Sequence, residues 1–264
     1  MTVAFMLVGI SNHAFAFEFD NGPITGSIDT TLSYGTSSRV EQQDKDLICI
    51  ANGGNAYSCN SDDGNLNYNK GTVSQVHKFT TDIELIHKNS DLGAFIRVKG
   101  FVDTENNDNN DTPYTPLTDK AIDLVGENVN LLDAYVWKRF EISDRPAEVR
   151  FGKHVLNWGE STFIQGGINA INPIDAAAIR LPGAELREAL LPVNMLSASW
   201  QATENLSVEG FLQLDWDKTI PDPAGSYLST NDFATDGGRK AVVSGFGDIS
   251  DSVWVCKKSI ASLV

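Results

Sequence analysis

Nowhere past its first residues does this chain run about 18 apolar residues together, and that excludes crossing a membrane by helices. Crossing by strands stays open, because strands alternate apolar and polar residues and never build a long apolar run. Positive charge is scarce. Lys and Arg number 20 against 35 Asp and Glu, a net charge of −15, so nucleic acid is excluded as a partner: its phosphates would be repelled. The signatures of catalysis and cofactor binding are missing too. The chain has no G-x-S-x-G, no P-loop, no H-E-x-x-H and no G-x-G-x-x-G, so neither an enzyme nor a bound cofactor is expected. Glu160 and Asp175 resemble a glycosidase pair only in residue type, since nothing fixes the separation such a mechanism needs. No metal site is expected. His77 and His87 share a strand face but stand roughly 33 Å apart at ~3.3 Å per residue, and "NSDDGN" and "ENNDNND" do not follow the calcium-loop spacing. Both acidic segments read as solvated loops.

Cysteine is sparse, at three residues. Cys49 and Cys59 flank a polar Gly/Asn-rich segment and would form a local disulfide in an oxidising compartment, leaving Cys256 odd. Such a compartment is implied by the leading "MTVAFMLVGISNHAFAFEFD", in which 4–10 is an apolar core and Ala14-Phe15-Ala16 an A-x-A cleavage site before Phe17. Residues 1–16 are therefore expected to be a signal peptide. It lacks a basic start, which would lie upstream. The alternative is an N-terminal strand.

Period-two alternation predicts seven strands, at 24–34, 74–87, 93–103, 130–141, 147–157, 195–202 and 206–217. Each is about 10 to 13 residues long, suited to a tilted bilayer crossing. Short turns ("KNSDLG", "SDRP", "TENL") alternate with long polar loops, as in outer-membrane barrels. One face carries aliphatics and aromatics, with Leu132 in line with Ala134 and Val136; Tyr34, Trp137, Phe140, Trp200 and Trp216 sit near strand ends as an aromatic girdle. The other carries Asp82, Glu84, Asp133 and Glu148 beside Arg97, Lys99, Arg139 and Arg150, a mixed set that gives a water-filled lumen a transverse field. The fold expected is an all-β, antiparallel up-and-down transmembrane barrel, incomplete and open, of about seven to eight strands with long external loops.

The densest stretch is the connection after the fifth predicted strand, 158–192. Two Gly pairs, Asn172-Pro173 and Pro182-Gly183 structure it by turn chemistry, and "AELREALLP" reads as a short amphipathic helix ended by proline. Its many apolar residues would be costly in water. It is expected to fold into the lumen, with Trp158, Glu160, Asn169, Asn172, Asp175, Arg180 and Arg187 lining a constriction or ligand shelf; a loop packed on other loops is the alternative. "RFGKHVLNWGESTFIQGGINAINPIDAAAIRLPGAELREALLPVNMLSASW", with "LLDAYVWKRFEI", "GSIDTTLSYG" and "FATDGG", resembles the proteobacterial outer-membrane barrel family named domain of unknown function 1302. The Trp158-Gly159-Glu160 block carries the likeness, which spans 17 to about 251. It implies a barrel in the outer membrane of a Gram-negative bacterium. It also implies that 17–250 is the N-terminal part of a longer barrel.

The function expected is passage of an unknown small solute, hydrophobic or lipid-like in class, through a porin-like channel. Outer-membrane lipid and the barrel-assembly machinery are the expected partners. A secreted soluble β-protein that binds or hydrolyses carbohydrate is one alternative, and a structural or adhesive barrel without transport is another. An odd strand count, and a tail 251–264 ("SVWVCKKSIASLV" within it) that departs from the pattern, lead to the expectation of a truncated, frameshifted product missing its C-terminal half.

Overall fold

A computed structural model of the chain describes residues 13–107, 114–158, 171–239, 241–242 and 246–249. Eight strands form one antiparallel sheet in which each pairs with the next in sequence: β1 (His13–Asn21), β2 (Ile24–Arg39), β3 (Gly71–His87), β4 (Leu92–Asp103), β5 (Glu127–Glu141), β6 (Pro146–His154), β7 (Val193–Thr203) and β8 (Leu206–Gln213). β1 and β8 do not pair with one another, so the sheet is open. Three of the four tight turns at one end place residues at positive φ: Gly22 at 61°, Asp91 at 48°, and Ser143 and Asp144 at 56° and 58°. Two consecutive positive φ angles twist a hairpin in the sense its strands require. Ile142 and Arg145 close that turn by exchanging N–H to O bonds of 2.9 and 3.2 Å.

The strand missing from the sequence reading is β1. Its alternating Phe15, Phe17 and Phe19 pair with Thr30, Ile28 and Gly26, and Asp20-Asn21-Gly22 supplies a hairpin turn. Ala14, Phe15 and Ala16, expected to end an export signal, are strand residues here. Cleavage after Ala16 would leave 17–21 of β1. With β1 the count is eight among the described residues, so the odd count behind the expected truncation does not hold.

The two faces differ as the alternation requires. On one, Phe17, Ile28, Phe79, Ile96, Val136, Phe151, Leu196 and Leu212 are all exposed, and no second layer of described structure lies over them. The other carries the charges; Asp82 faces Arg97 directly across β3 and β4, and Arg139 faces Glu148 across β5 and β6. Two residues depart from the expected faces. A bulge sets Leu132 and Asp133 of β5 against Arg97 alone. The phase shifts there, and Leu132 is 4% exposed whereas Leu131 is 48%. Trp137 is not part of an outer girdle. It lies buried on the charged face against Gly93, where a Cβ would fall 2.1 Å from its ring.

At the end opposite the tight turns, the long connections, the first of which carries α1 (Asp63–Leu66), fold together into a cap. Leu117, Ala121 and Val125 of or beside α2 (Asp119–Val125) pack with Ala177 of α3 (Ala176–Arg180). Asparagines join one connection to another: Asn60 exchanges bonds with Val242, Asn67 accepts from Thr115 N and donates to Gly225 O, and Asn106 accepts from the Tyr68 hydroxyl. Asp62 and Asp63 of "NSDDGN", expected in a solvated loop, are buried, because Asp62 accepts from Cys49 N and Asn52 Nδ2. Cys49 and Cys59 form a disulfide, and both are buried in this cap rather than in a loose loop.

Replacing both cysteines with alanine is therefore expected to cost the cap about 2–3 kcal/mol. Limited proteolysis should find 40–70 cut faster while the sheet stays resistant; unchanged cleavage would show that the bridge holds nothing.

Candidate functional site

The connection between β6 and β7 crosses the charged face. Asn172 fixes its stems: the Oδ1 accepts from Leu156 N at 2.9 Å and the Nδ2 donates to Leu191 O at 2.9 Å. Asp175 caps α3 by accepting from Ala178 N at 2.8 Å. Ile174 and Leu190 then form an antiparallel bridge, and the chain reaches β2, where Gly35 admits it. A side chain on Gly35 would meet the Pro182 backbone carbonyl carbon at 2.7 Å. The expected helix at 184–192 is only a 3-10 turn, Leu186–Glu188; the α-helix is α3, whose Asp cap and three alanines are the better start signal.

That short turn delivers the central interaction. Glu188 reaches Lys78 of β3 at 2.5 Å and Lys99 of β4 at 3.2 Å, and all three side chains are 1–3% exposed. Lys78 also donates to Gly183 O at 2.6 Å. One residue earlier, Arg187 reaches Asp82 at 3.1 Å. Asp82 is shared: Arg97 grips it with Nε at 2.7 Å and a terminal nitrogen at 2.8 Å, and also reaches Asp133 at 3.3 Å. Further toward the tight turns, Glu148 accepts from Arg139 at 2.9 Å and from Arg150 at 2.8 Å. The face therefore grades from buried charge under the connection to open charge beyond it, with Arg139 64% exposed.

The residues expected on one shelf are spread over several places. Arg187 lies on the charged face. Trp158 packs edge-on against Phe211 of β8, with ring centroids 5.2 Å apart. Asn172 and Asp175 serve the connection's own fold. Arg180 pairs with Asp222 in the cap, beside a cavity of ≈ 50 Å³ lined also by Tyr68, Asp103 and Tyr227, room for a few waters rather than a solute. Glu160 and Asn169 lie outside the described residues. Of the charges expected on the polar face, Asp82, Arg97, Lys99, Asp133, Arg139, Glu148 and Arg150 are in the pairings above; Glu84 stands on the same face directly across from Phe95 and also borders a cleft with Glu18 and Asp20 near the tight turns. Lys78 and Glu188 were missed. Alternation did signal Lys78, which stands four residues before Asp82 on the same strand; nothing local singles out Glu188.

Other groups invite a chemical reading. Asp62, Asp63 and Asp232 bring carboxylate oxygens within 4.8 Å of one another, a donor set that suits a hard cation. They also belong to the cap's own hydrogen bonding, Asp232 accepting from Asp63 N at 3.4 Å. His154 Nε2 lies 2.9 Å from Ser197 Oγ, but its Nδ1 faces the Gly152 carbonyl at 3.0 Å where a catalytic histidine has a carboxylate.

Residues 1–258 match the family described as "Protein of unknown function (DUF1302)". The chain belongs to that family. The match begins at residue 1 and runs past Asp251. No curated protein and no solved structure matches the chain.

Glu188→Gln leaves two buried ammonium groups without a counter-charge and is expected to cost about 3–5 kcal/mol. Chemical denaturation and protease access to 184–191 read this; wild-type stability with a protected segment would show that the triad does not hold the connection. Burial raises the Asp175 carboxyl above its ordinary value, opposed by the N–H groups of Ala178 and Ala177 and by the charge of Lys99. The group's contribution is thus full below the unfolded value of about 3.9 and is lost as pH rises through the raised folded value. Asp175→Asn keeps a capping oxygen, so it should leave stability at pH 7 equal or higher and remove that part of the pH dependence. A loss above about 1 kcal/mol at pH 7 would contradict this.

Proposed function

We propose that this chain is the wall of an outer-membrane β-barrel whose charged face lines a solute path, narrowed at the cap end by the connection 171–192. The observation that carries this reading is the apolar face. Large side chains stand exposed on all eight strands, Phe15, Ile24, Phe79, Leu92, Val129, Phe151, Trp200 and Val208 among them, one from each strand. A soluble protein rarely leaves an apolar patch above about 600 Å² in water; in a bilayer the same surface meets lipid at no cost. The backbone supports it. Up-and-down strands of 8 to 17 residues with short turns at one end and long connections at the other are the barrel pattern.

In hydrocarbon the free edges of β1 and β8 leave N–H and C=O groups unsatisfied, so both edges must meet further strands there. The work of the charged face is passage, not catalysis: its carboxylates are held by arginine and lysine, a set that tunes which small solute enters rather than one that moves protons. Lipid is the partner of the outer face, and the assembly machinery of outer-membrane proteins the partner in biogenesis.

Expressed with an intact export signal, the protein is expected in the outer-membrane fraction, extractable by detergent and not by alkaline carbonate. Recovery as a folded, monomeric soluble periplasmic protein would overturn the proposal and favour a secreted β-protein.

A further inference from the structure

The ion pairs described above use the cations of the charged face but not all of its carboxylates. Lys78 and Lys99 meet Glu188, Arg97 meets Asp82 and Asp133, Arg139 and Arg150 meet Glu148, and Arg187 meets Asp82 and Glu185. Glu18, Glu84, Glu141 and Glu209 enter no ion pair among the described residues. Register puts all of them on that face. Glu18 and Glu84 are the partners of Ser27 from either side, Glu141 follows Arg139 by two residues, and Glu209 is joined to Glu148 through Ser199.

These carboxylates recur along the wall. Each hairpin with a tight turn supplies one: Glu18 from β1 and β2, Glu84 from β3 and β4, Glu141 from β5 and β6, and Glu209 from β7 and β8. Each stands within four residues of its turn, in a band roughly 13 Å deep at ~3.3 Å per residue. Nearby cations do not cancel the band. Lys88 is held by Asp20, Arg145 stands in a turn with Asp144, and Lys138 lies on the opposite face with Leu92 and Val149. The band is also reached from solution. A cleft of ≈ 510 Å³ adjoins Glu18 and Glu84, and one of ≈ 470 Å³ adjoins Glu141 and Glu209. Unmatched carboxylates repeated along a wall hold the local potential negative, and a concave surface focuses that field on whatever enters.

We propose that this band makes the tight-turn end of the path cation-selective, so that the solute it favours is a small cation. This rests on reading the charged face as a solute path and names the class of solute. Rings of carboxylates select cations in membrane pores by the same physics. An anion would meet like charge in both clefts, and a neutral solute would gain nothing from the field.

The test is the rate at which charged thiol reagents modify single cysteines in the purified full-length chain in dodecyl maltoside. Cys256→Ser removes the thiol outside the Cys49–Cys59 bridge. Ser27→Cys then places a thiol between Glu18 and Glu84, and Ser199→Cys, in a separate chain, places one between Glu148 and Glu209. The reagents are trimethylammonioethyl methanethiosulfonate, a cation, and sulfonatoethyl methanethiosulfonate, an anion, each rate divided by that for 2-mercaptoethanol. The cation is expected to lead by about fivefold or more at both thiols at low ionic strength, and the lead to shrink as salt is raised. Glu18→Gln/Glu84→Gln should at least halve the ratio at position 27 and leave that at position 199 unchanged. Equal normalised rates at either position overturn the proposal, as does an unchanged ratio at position 27 in the double variant. No reaction with either reagent, in a chain that reacts fully once unfolded, overturns it together with the solute path. Envelope fractionation reads the barrel separately: outer-membrane recovery with equal rates overturns the cation class alone, whereas soluble recovery overturns the barrel and the proposal with it.

Discussion

The buried triad of Lys78, Glu188 and Lys99 is the constraint on which the arrangement of this molecule depends. Two lysines on neighbouring strands with no carboxylate would not stay buried and charged; the penalty is several kcal/mol for each ion. Glu188 removes most of it only when the connection from β6 is drawn across the sheet to β3 and β4. The sheet must therefore wrap far enough for a segment rooted between β6 and β7 to touch β2, β3 and β4. Gly35 has no side chain at the place where Pro182 passes. Arg187 adds a second tie to Asp82 one residue earlier. The triad is thus the endpoint of a chain of local decisions: stems fixed by Asn172, a capped helix at Asp175, a turn at Pro182-Gly183, and then a carboxylate in place.

A strand face that reads simply as polar becomes two environments once that connection is in place. Under it the charges are sequestered and matched by a residue from outside the sheet. Beyond it they are matched across neighbouring strands, Arg97 to Asp82 and Arg139 to Glu148, in the register the hairpins dictate. The bulge at Leu132 and Asp133 adjusts this register at one point, so that one arginine meets two acidic groups. Strands bury Val73, Val76, Phe101, Leu132 and Met195, and a further apolar cluster sits in the cap around Leu117 and Ala121, where loops rather than strands pack.

Seven of the eight strands were legible in the sequence because each alternates with period two and is bounded by turn residues, and the charged set from Asp82 to Arg150 followed from the same alternation. β1 was obscured because an apolar N-terminus ending in Ala-Phe-Ala satisfies the pattern of an export signal and of a strand equally well. Leu132 and Trp137 were misassigned for related reasons. A bulge changes the phase without any composition cue, and a tryptophan near a strand end announces an interface only if the strand opposite does not offer a glycine for it to cover. The loops read as solvated because asparagine and aspartate are common in turns; their role as staples between connections depends on partners more than a hundred residues away, such as Asn67 with Gly225. Glu188 was illegible for the same reason: its partners lie 110 and 89 residues back in the chain.

Burial decides what each of these ion pairs does. A carboxylate held by two lysines at 1% exposure has no capacity left for a ligand and no route for one to reach it, so Glu188 works as a fastening. A carboxylate held by two arginines of which one is mostly exposed stays open to water, so the Glu148 pairs are surface pairs rather than a fastening. The sequence places both kinds of pair on the same face by the same alternation. What separates the two is the reach of the connection after β6, whose carboxylate from Glu188 meets the lysines of β3 and β4 while Arg139 and Arg150 are paired within the sheet.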